Sequence, residues 1–273
     1  MSPKNHSVDV VLCTANRDRN GLLRSLQSLR ESTCSDVRVL LVNDSADPLT
    51  ADLNTSGMNI SVVNLGANFG LTHALKATEV LLAAPLVARM DCGDTMSPYR
   101  LEKQRDFLLH NPKYALVGTR SEFIIRSSDQ VQRIGYSASS AEIPEIRNYL
   151  LWRNPFVHGS IMYRRDDFLA IGGYDSRFKI AQDFNLYMRM RTRGELYILP
   201  EVLYTHNFNI NGSNTVKKNK ASVASSLRSR LTLSTVKERL NPLLLAALLR
   251  DLLILLLPAS ALAWLKFGRH LKR

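Results

Sequence analysis

Short apolar runs alternate with amphipathic stretches through the first half of the chain, and each run ends in polar residues. Val8 to Leu12 reads as a buried parallel strand, with Cys13-Thr14-Ala15-Asn16-Arg17 after it as a polar loop. Leu22, Leu23, Leu26 and Leu29 recur at helical spacing to about Arg30. Val37 to Val42 predicts a second strand, ending in Asn43-Asp44-Ser45-Ala46-Asp47-Pro48. Ile60 to Val63 predicts a third, ahead of Asn64 to Gly70 and a helix with Leu71, Ala74, Leu75, Thr78 and Leu82 on one side. Leu86 to Met90 is the fourth, and it stops abruptly at Asp91-Cys92-Gly93-Asp94. Ser97 stands where an N-cap belongs and Pro98 at the first helical position, so a helix is expected from there through Leu101, Phe107 and Leu108. Strands alternating with helices build a mostly parallel sheet. Its four strand-to-loop junctions would bring polar groups to the edge where open α/β sheets bind ligands.

The second half is less regular. Tyr114 to Thr119 predicts a strand, residues 121–143 a hairpin or flexible connection, and Glu145 to Trp152 a short helix. Residues 158–163 are strand-like and lead into a helix from about Asp166, stopped by Gly172-Gly173-Tyr174-Asp175. Residues 181–193 predict a helix with Asp183 in its first turn, where the helix dipole favours an ionised carboxylate. Leu196 to Leu199 and Val202 to Tyr204 are short strands, with His206 just beyond.

Length and apolar content, 273 residues and 45%, suit one large α/β domain with an appendage. The domain is expected over 1–215, with a nucleotide-binding half at 1–110 and a second half at 111–215. The appendage is 216–273. Cys13, Cys34 and Cys92 have neither disulfide-framework nor metal-type spacing, which fits a reducing compartment. Met1 to Ser7 is polar, with no apolar signal-peptide core.

The net charge of +12 changes meaning once it is mapped. Of the 36 Lys and Arg residues, 12 lie in 217–273, against only Glu238 and Asp251, so the domain itself is near neutral. The basic tail is also leucine-rich and lacks interleaved aromatics, which argues for an anionic membrane surface and against nucleic acid. As a spanning helix, 243–265 gains about 0.3 to 0.6 kcal/mol per Leu or Ile and loses about 2.5 to 3.5 for each central charge. Arg250 and Asp251 therefore nearly cancel the gain, and Pro258 weakens it further. Two short helices lying on the membrane, or packing on another copy of the chain, are expected instead. A lid over the domain's own core is the other reading of the tail.

The candidate chemistry centres on the turn after the fourth strand. Asp91 and Asp94 lie close together at a sheet edge, where a hard divalent cation would relieve their repulsion. The same residues also fit a plain Asp-Gly turn. Thr14, Asn16 and Arg17 would equally cap a helix, Asp44 an Asx turn, and Asn68 with Gly70 a loop needing positive φ. There is no G-x-G-x-x-G after the first strand and no G-x-x-x-x-G-K-[ST], so dinucleotide and P-loop readings fail.

Taken in order, these pieces resemble the family-2 glycosyltransferases of the GT-A fold, over about residues 8–215. The resemblance rests on Thr14-Ala15-Asn16-Arg17, Val42-Asn43-Asp44-Ser45, Asn68-Phe69-Gly70, and Arg89 to Asp94 followed by Pro98, Arg100, Leu101, Glu102 and Gln104. Asn154 with His158-Gly159-Ser160, Gly172 to Asp175, and Gln182-Asp183 complete it. It implies an α/β, Rossmann-like, mixed and mostly parallel sheet flanked by helices, and it makes 111–215 the acceptor half. It also implies an inverting, metal-dependent transfer of a sugar from a nucleotide-sugar, UDP-linked by expectation, to a glycan or lipid-linked acceptor in surface polysaccharide synthesis. Asp44 would read the uracil edge, with Thr14, Asn16, Arg17 and Arg89 lining the nucleotide pocket and Asn68 and Gly70 bordering it. Asp91, Asp94 and His206 would hold Mn²⁺ or Mg²⁺ on the diphosphate. Asp183 would be the general base, with His158, Gly159 and Gln182 nearby. Two positions depart from the family pattern: Gly93 stands where an acidic residue is usual, and Gln182 replaces the acidic partner of Asp183. The basic, leucine-rich tail would set such an enzyme on the cytoplasmic face of the cell membrane, and self-association through the tail is its other expected use. A nucleotidyltransferase, which would not need Asp183, and a non-catalytic glycan- or membrane-binding scaffold are the competing readings.

Overall fold

A computed structural model describes residues 6–15, 18–49, 57–127, 130–208 and 216–258, the side chains of 216–219 aside. The described residues form one nine-stranded sheet. Its strands are β1 (Val8–Thr14), β2 (Val37–Asn43), β3 (Ile60–Asn64), β4 (Leu86–Asp91), β5 (Thr95–Met96), β6 (Tyr114–Arg126), β7 (Val131–Tyr136), β8 (Met162–Arg164) and β9 (Glu195–Phe208). They lie in the order β3-β2-β1-β4-β8-β6-β9-β5, and β7 pairs with β6. The first four are parallel. Their register sets Thr14 beside Asn43, Asn43 beside Asn64, and Cys13 beside Asp91, so all four strands end level at one edge. The antiparallel β8 fills the gap between β4 and β6, and β9 runs parallel to β6.

Both faces of the parallel half are covered, which is why its strands are apolar throughout. Val10 and Leu12 pack with Leu22 and Leu26 of α1 (Arg19–Arg30) and Leu101 and Leu108 of α3 (Arg100–His110). Val11 and Cys13 face the other way, toward α2 (Leu71–Ala77), α4 (Ile146–Trp152) and α6 (Gln182–Met190). The short α5 (Arg165–Ala170) follows β8 directly.

The C-terminal appendage consists of α7 (Val216–Leu233) and α8 (Pro242–Leu256) among the described residues, and it is docked. Leu244 of α8 belongs to the same core as α4 and α6, and Ala247 is fully buried. No described helix is long and apolar enough to cross a membrane. The second short helix expected after Pro258 falls outside the described residues.

Three local expectations need correcting. Ser97 stands in the turn before α3 rather than directly at its start: its Oγ accepts the Tyr99 N–H at 3.4 Å, its own N–H donates to the Leu203 carbonyl as Thr95–Met96 pairs with β9, and the helix starts at Arg100. His158–Ser160 is a 3₁₀ turn rather than strand, since the backbone there must tuck beneath the end of β4. The two strands expected over 196–204 are one long strand, whose register against β6 shifts between Tyr114 and Leu116, between Thr119 and Arg120 and between Arg120 and Ser121, with the extra residues of the last two shifts on β9.

Candidate active site

The end of β4 is held from below by buried cations. Arg89 has no exposed surface, and a guanidinium in that position must be paired. It donates from Nη2 to Asp91 Oδ1 at 2.7 Å and from Nη1 to the Val11 carbonyl. Burial disfavours the Asp91 carboxylate, yet the charges of Arg89 foremost, then His158, His206 and Arg100, together hold Asp91 below the usual carboxylate range. Arg100, also buried, donates to the Arg89 carbonyl at 2.8 Å and to Gln104 Oε1 at 3.0 Å. Gln104 in turn donates to the carbonyls of Val117 and Ser160. Burial pulls the Arg100 pKa down to about 10, which leaves it charged at neutral pH. Direct nucleotide contact does not fit Arg89, because its surface is entirely spent beneath Asp91.

Asp94 sits behind this turn. It is 2% exposed, and its carboxylate accepts from Tyr204 Oη at 2.6 Å, His206 Nδ1 at 2.8 Å and the Asn207 N–H at 2.9 Å. A position as direct metal ligand does not fit such a saturated, buried carboxylate. Its geometry is that of a group orienting a histidine: with Nδ1–H on a carboxylate, the Nε2 lone pair of His206 is left for a cation. Burial lowers the His206 pKa, but the hydrogen bond and charge of Asp94 dominate and raise it. Tyr204 braces both acids, since its hydroxyl also accepts the Asp91 N–H at 3.2 Å. Gly159 explains the family-like His-Gly-Ser segment. A Cβ there would stand 1.9 Å from Tyr204 Oη and 3.1 Å from the Asp91 nitrogen.

At the first two strand ends, Thr14 is buried and its carbonyl accepts the Asp44 N–H at 2.7 Å. Asp44 is also buried, and its two carboxylate oxygens accept from the N–H groups of Phe69 at 2.6 Å and Gly70 at 2.9 Å. Asn68 Nδ2 closes the loop onto the Asp44 carbonyl at 2.9 Å. Gly70 takes φ +91° as it opens α2, a conformation that glycine adopts freely. Asp44, Asn68 and Gly70 are thus one assembly, while Asn16 and Arg17 lie outside the described residues. Gly93 has φ +96°, and a Cβ there would stand 3.9 Å from Asp18 Oδ2; among the described residues no three His, Cys, Asp or Glu side chains form a metal cage.

Across the cleft, α6 starts from Ala181, which holds a left-handed φ of 57°. That strain, in a residue other than glycine, brings Asp183 into the first turn. Asn154 Nδ2 donates to Asp183 Oδ2 at 3.0 Å. His158 Nε2 and Tyr174 Oη lie 2.8 Å apart, and burial together with the Arg89 charge lowers the His158 pKa, keeping the ring neutral. Asp91, His158, Gln182 and Asp183 line one cavity of about 780 Å³, closed on its far side by residues of α7 and α8. Sequence reasoning missed the residues that hold these groups: Tyr204, Asn207, Tyr174, and the α7 and α8 side chains at the cavity wall. The Gly159 motif was the one available hint of a close approach.

A half-parallel sheet with a bound-up acidic turn at β4 and a second carboxylate facing it defines a GT-A-type transferase. The chain belongs to glycosyl transferase family 2, whose model matches residues 9–172. It is a glycosyltransferase. It is 28% identical over 203 residues to the amylovoran biosynthesis glycosyltransferase AmsE of Erwinia amylovora, covering 71% of this chain and 73% of that one. A UDP-Gal:alpha-D-GlcNAc-diphosphoundecaprenol beta-1,3-galactosyltransferase of Escherichia coli is 24% identical over 180 residues, 63% of each chain. Among solved structures, S. aureus TarS with UDP-GlcNAc aligns with a TM-score of 0.68 over 90% of this chain and 72% of that one, at 14% identity. The mannosyltransferase PcManGT of Pyrobaculum calidifontis, with GDP-Man and Mn²⁺, aligns at 0.62 over 98% and 80%, at 15% identity.

Proposed function

We propose that the chain transfers a sugar from a UDP-sugar to a hydroxyl of a glycan or lipid-linked acceptor during surface polysaccharide synthesis, inverting the anomeric centre. The observation that carries this reading is the single cavity that Asp91 and Asp183 both line. Loss of the nucleoside diphosphate develops negative charge on the Asp91 side, where a preorganised positive site lowers the barrier. Asp91, with 31% of its side chain open, and His206 Nε2 would hold Mn²⁺ or Mg²⁺ there, in company with diphosphate oxygens and water. Bound so, the cation supplies Lewis-acid stabilisation of the leaving diphosphate. The donor set supports this: one carboxylate plus one oriented imidazole suits a cation that keeps much of its coordination for substrate.

Asp183 takes the proton of the acceptor hydroxyl at Oδ1, while Asn154 fixes Oδ2. Attack from the face opposite the diphosphate gives inversion through an oxocarbenium-like transition state. Asp44 holds the Asn68–Gly70 loop in shape beside the nucleotide, with Thr14 at the neighbouring strand end. The names of the relatives, in amylovoran and lipid-diphosphate glycan synthesis, support the acceptor class. Leu245, Leu249, Leu252 and Leu256 are exposed along α8, and Lys266, Arg269, Lys272 and Arg273 follow in sequence. That pairing supports contact with an anionic lipid face on the cytoplasmic side.

The test is turnover of UDP-galactose and UDP-N-acetylglucosamine with Mn²⁺ by the wild type and by Asp183→Asn. A rate loss on the order of 100-fold or more is expected, with inverted product. A nucleotidyltransferase would keep its activity in Asp183→Asn, and a scaffold would turn over neither donor.

A further inference from the structure

The two helices after the catalytic domain contain a buried ion network that the proposed chemistry does not use. Asp251 of α8 is 2% exposed, as is Arg230 of α7. Asp251 Oδ2 accepts from Arg230 Nη1 at 2.6 Å, and Oδ1 accepts from Arg250 Nη2 at 2.7 Å and Nε at 3.0 Å. Two charges this close in apolar surroundings give little net stability compared with a well-packed apolar pair. The rest of the network says what they hold.

Among the described residues, the other side-chain hydrogen bonds of the two arginines go to the C-terminus of α4. Arg230 Nε donates to the Leu151 carbonyl at 2.8 Å and Nη2 to the Trp152 carbonyl at 3.0 Å. Arg250 Nη1 donates to the same Trp152 carbonyl at 3.0 Å, and its guanidinium stacks 4.4 Å over the Trp152 ring. These carbonyls are among the last four of α4, which have no partner within the helix and attract cations. Two residues on, Asn154 donates to Asp183. From the other side, the Arg230 guanidinium lies 4.6 Å over the ring of Phe184, the neighbour of Asp183. Arg230 therefore touches both the segment that delivers Asn154 and the helix turn that delivers Asp183.

We infer that the Arg230–Asp251–Arg250 network is a positioning clamp, through which the C-terminal helices fix Asn154 against Asp183 on the acceptor side of the cavity. Asp251 sets the two guanidinium planes, these hold the end of α4, and the end of α4 aims the Asn154 amide. The inference rests on the reading of Asp183 as the base for what the clamp achieves, though not for the contacts it holds. The clamp leaves the diphosphate side alone, because Asp91 and Asp94 are braced from β4, β9 and α3.

The test uses the full chain carrying Asp251→Asn, together with the double variant Arg230→Met and Asp251→Leu. The double variant replaces the ion pair by apolar groups of similar size and so keeps the fold even if the single variant does not. Crystal structures give the Asn154–Asp183 distance, and hydrolysis of UDP-galactose, UDP-N-acetylglucosamine and GDP-mannose with Mn²⁺ gives kcat and KM. The clamp predicts that Asn154 Nδ2 leaves hydrogen-bond range of Asp183, and that kcat falls by about tenfold to a hundredfold with donor KM unchanged. A purely structural role would lower the melting temperature and leave the double variant with unaltered kcat. A double variant that keeps the 3.0 Å contact overturns the inference, whatever its turnover. If Asp183→Asn turns over like the wild type, the base reading fails, and the Asn154 distance alone decides the clamp.

Discussion

The two sides of the cavity are held by different means. On the side proposed to take the diphosphate, the groups are attached to strands and cross-braced within the sheet: Arg89 under Asp91, Arg100 under Arg89, Tyr204 between Asp91 and Asp94. On the acceptor side Asp183 rides on a helix that begins from a strained residue, and its orientation depends on a loop asparagine and on helices far along the chain. A sheet edge can be shared by many donor-binding proteins without alteration. A helical wall can be rebuilt for each acceptor while the sheet stays as it is.

The comparison can be broken at several places. Asp91→Asn has the largest expected effect: it strands the buried Arg89 guanidinium and removes the proposed cation ligand. Turnover should fall by on the order of a thousandfold, and stability by about 3 kcal/mol, measured by donor turnover and chemical denaturation. Gly159→Ala comes next. Its Cβ would collide with Tyr204 Oη, so Tyr204 must move and take Asp94 and His206 with it. A loss of roughly a hundredfold in kcat is expected, read with the melting temperature to separate misfolding from misplacement. Tyr204→Phe, which removes only the hydroxyl, should cost about tenfold in turnover and about 1 to 3 kcal/mol, because two buried groups lose a partner.

The smallest effects sharpen the comparison through pH. His158 has a lowered pKa, so the unfolded chain binds the extra proton first and this histidine costs stability as pH falls through the ordinary value near 6.5. His206 has a raised pKa, so it adds stability that is complete below the ordinary value and is lost as pH rises through the folded one. Over pH 5 to 8, His158→Gln should make the loss of stability on acidification smaller, and His206→Gln should make it larger. Each difference should be about 1 kcal/mol or less, measurable by urea denaturation at several pH values.

Much of the donor side was legible in the sequence. Val8 to Leu12, Val37 to Val42 and Leu86 to Met90 are apolar because both their faces are covered, and a parallel sheet forces their ends to one edge. The braces were not legible. Tyr204 meets Asp94 across 110 residues of chain, and no local pattern encodes such a contact. Asp94 looked like a ligand because it sits three residues from Asp91, yet β5 turns it inward toward β9. Ser97 reads as the immediate helix start from its local setting, while the pairing of Thr95–Met96 with β9 is not local and the helix begins at Arg100. Arg250 and Asp251 read as charges that spoil an apolar helix. Burial against Arg230 and the end of α4 gives them a partner that hydropathy cannot reveal.

The central claim is that Asp91 serves the departing diphosphate and Asp183 the incoming hydroxyl, in one shared cavity. Calorimetry of UDP binding with and without Mn²⁺, on wild type, Asp91→Asn and Asp183→Asn, tests it together with turnover. The account predicts that Asp183→Asn binds UDP with unaltered metal dependence yet loses turnover on the order of 100-fold, while Asp91→Asn loses the metal dependence itself. Metal-dependent binding that survives in Asp91→Asn, or full turnover in Asp183→Asn, would contradict it.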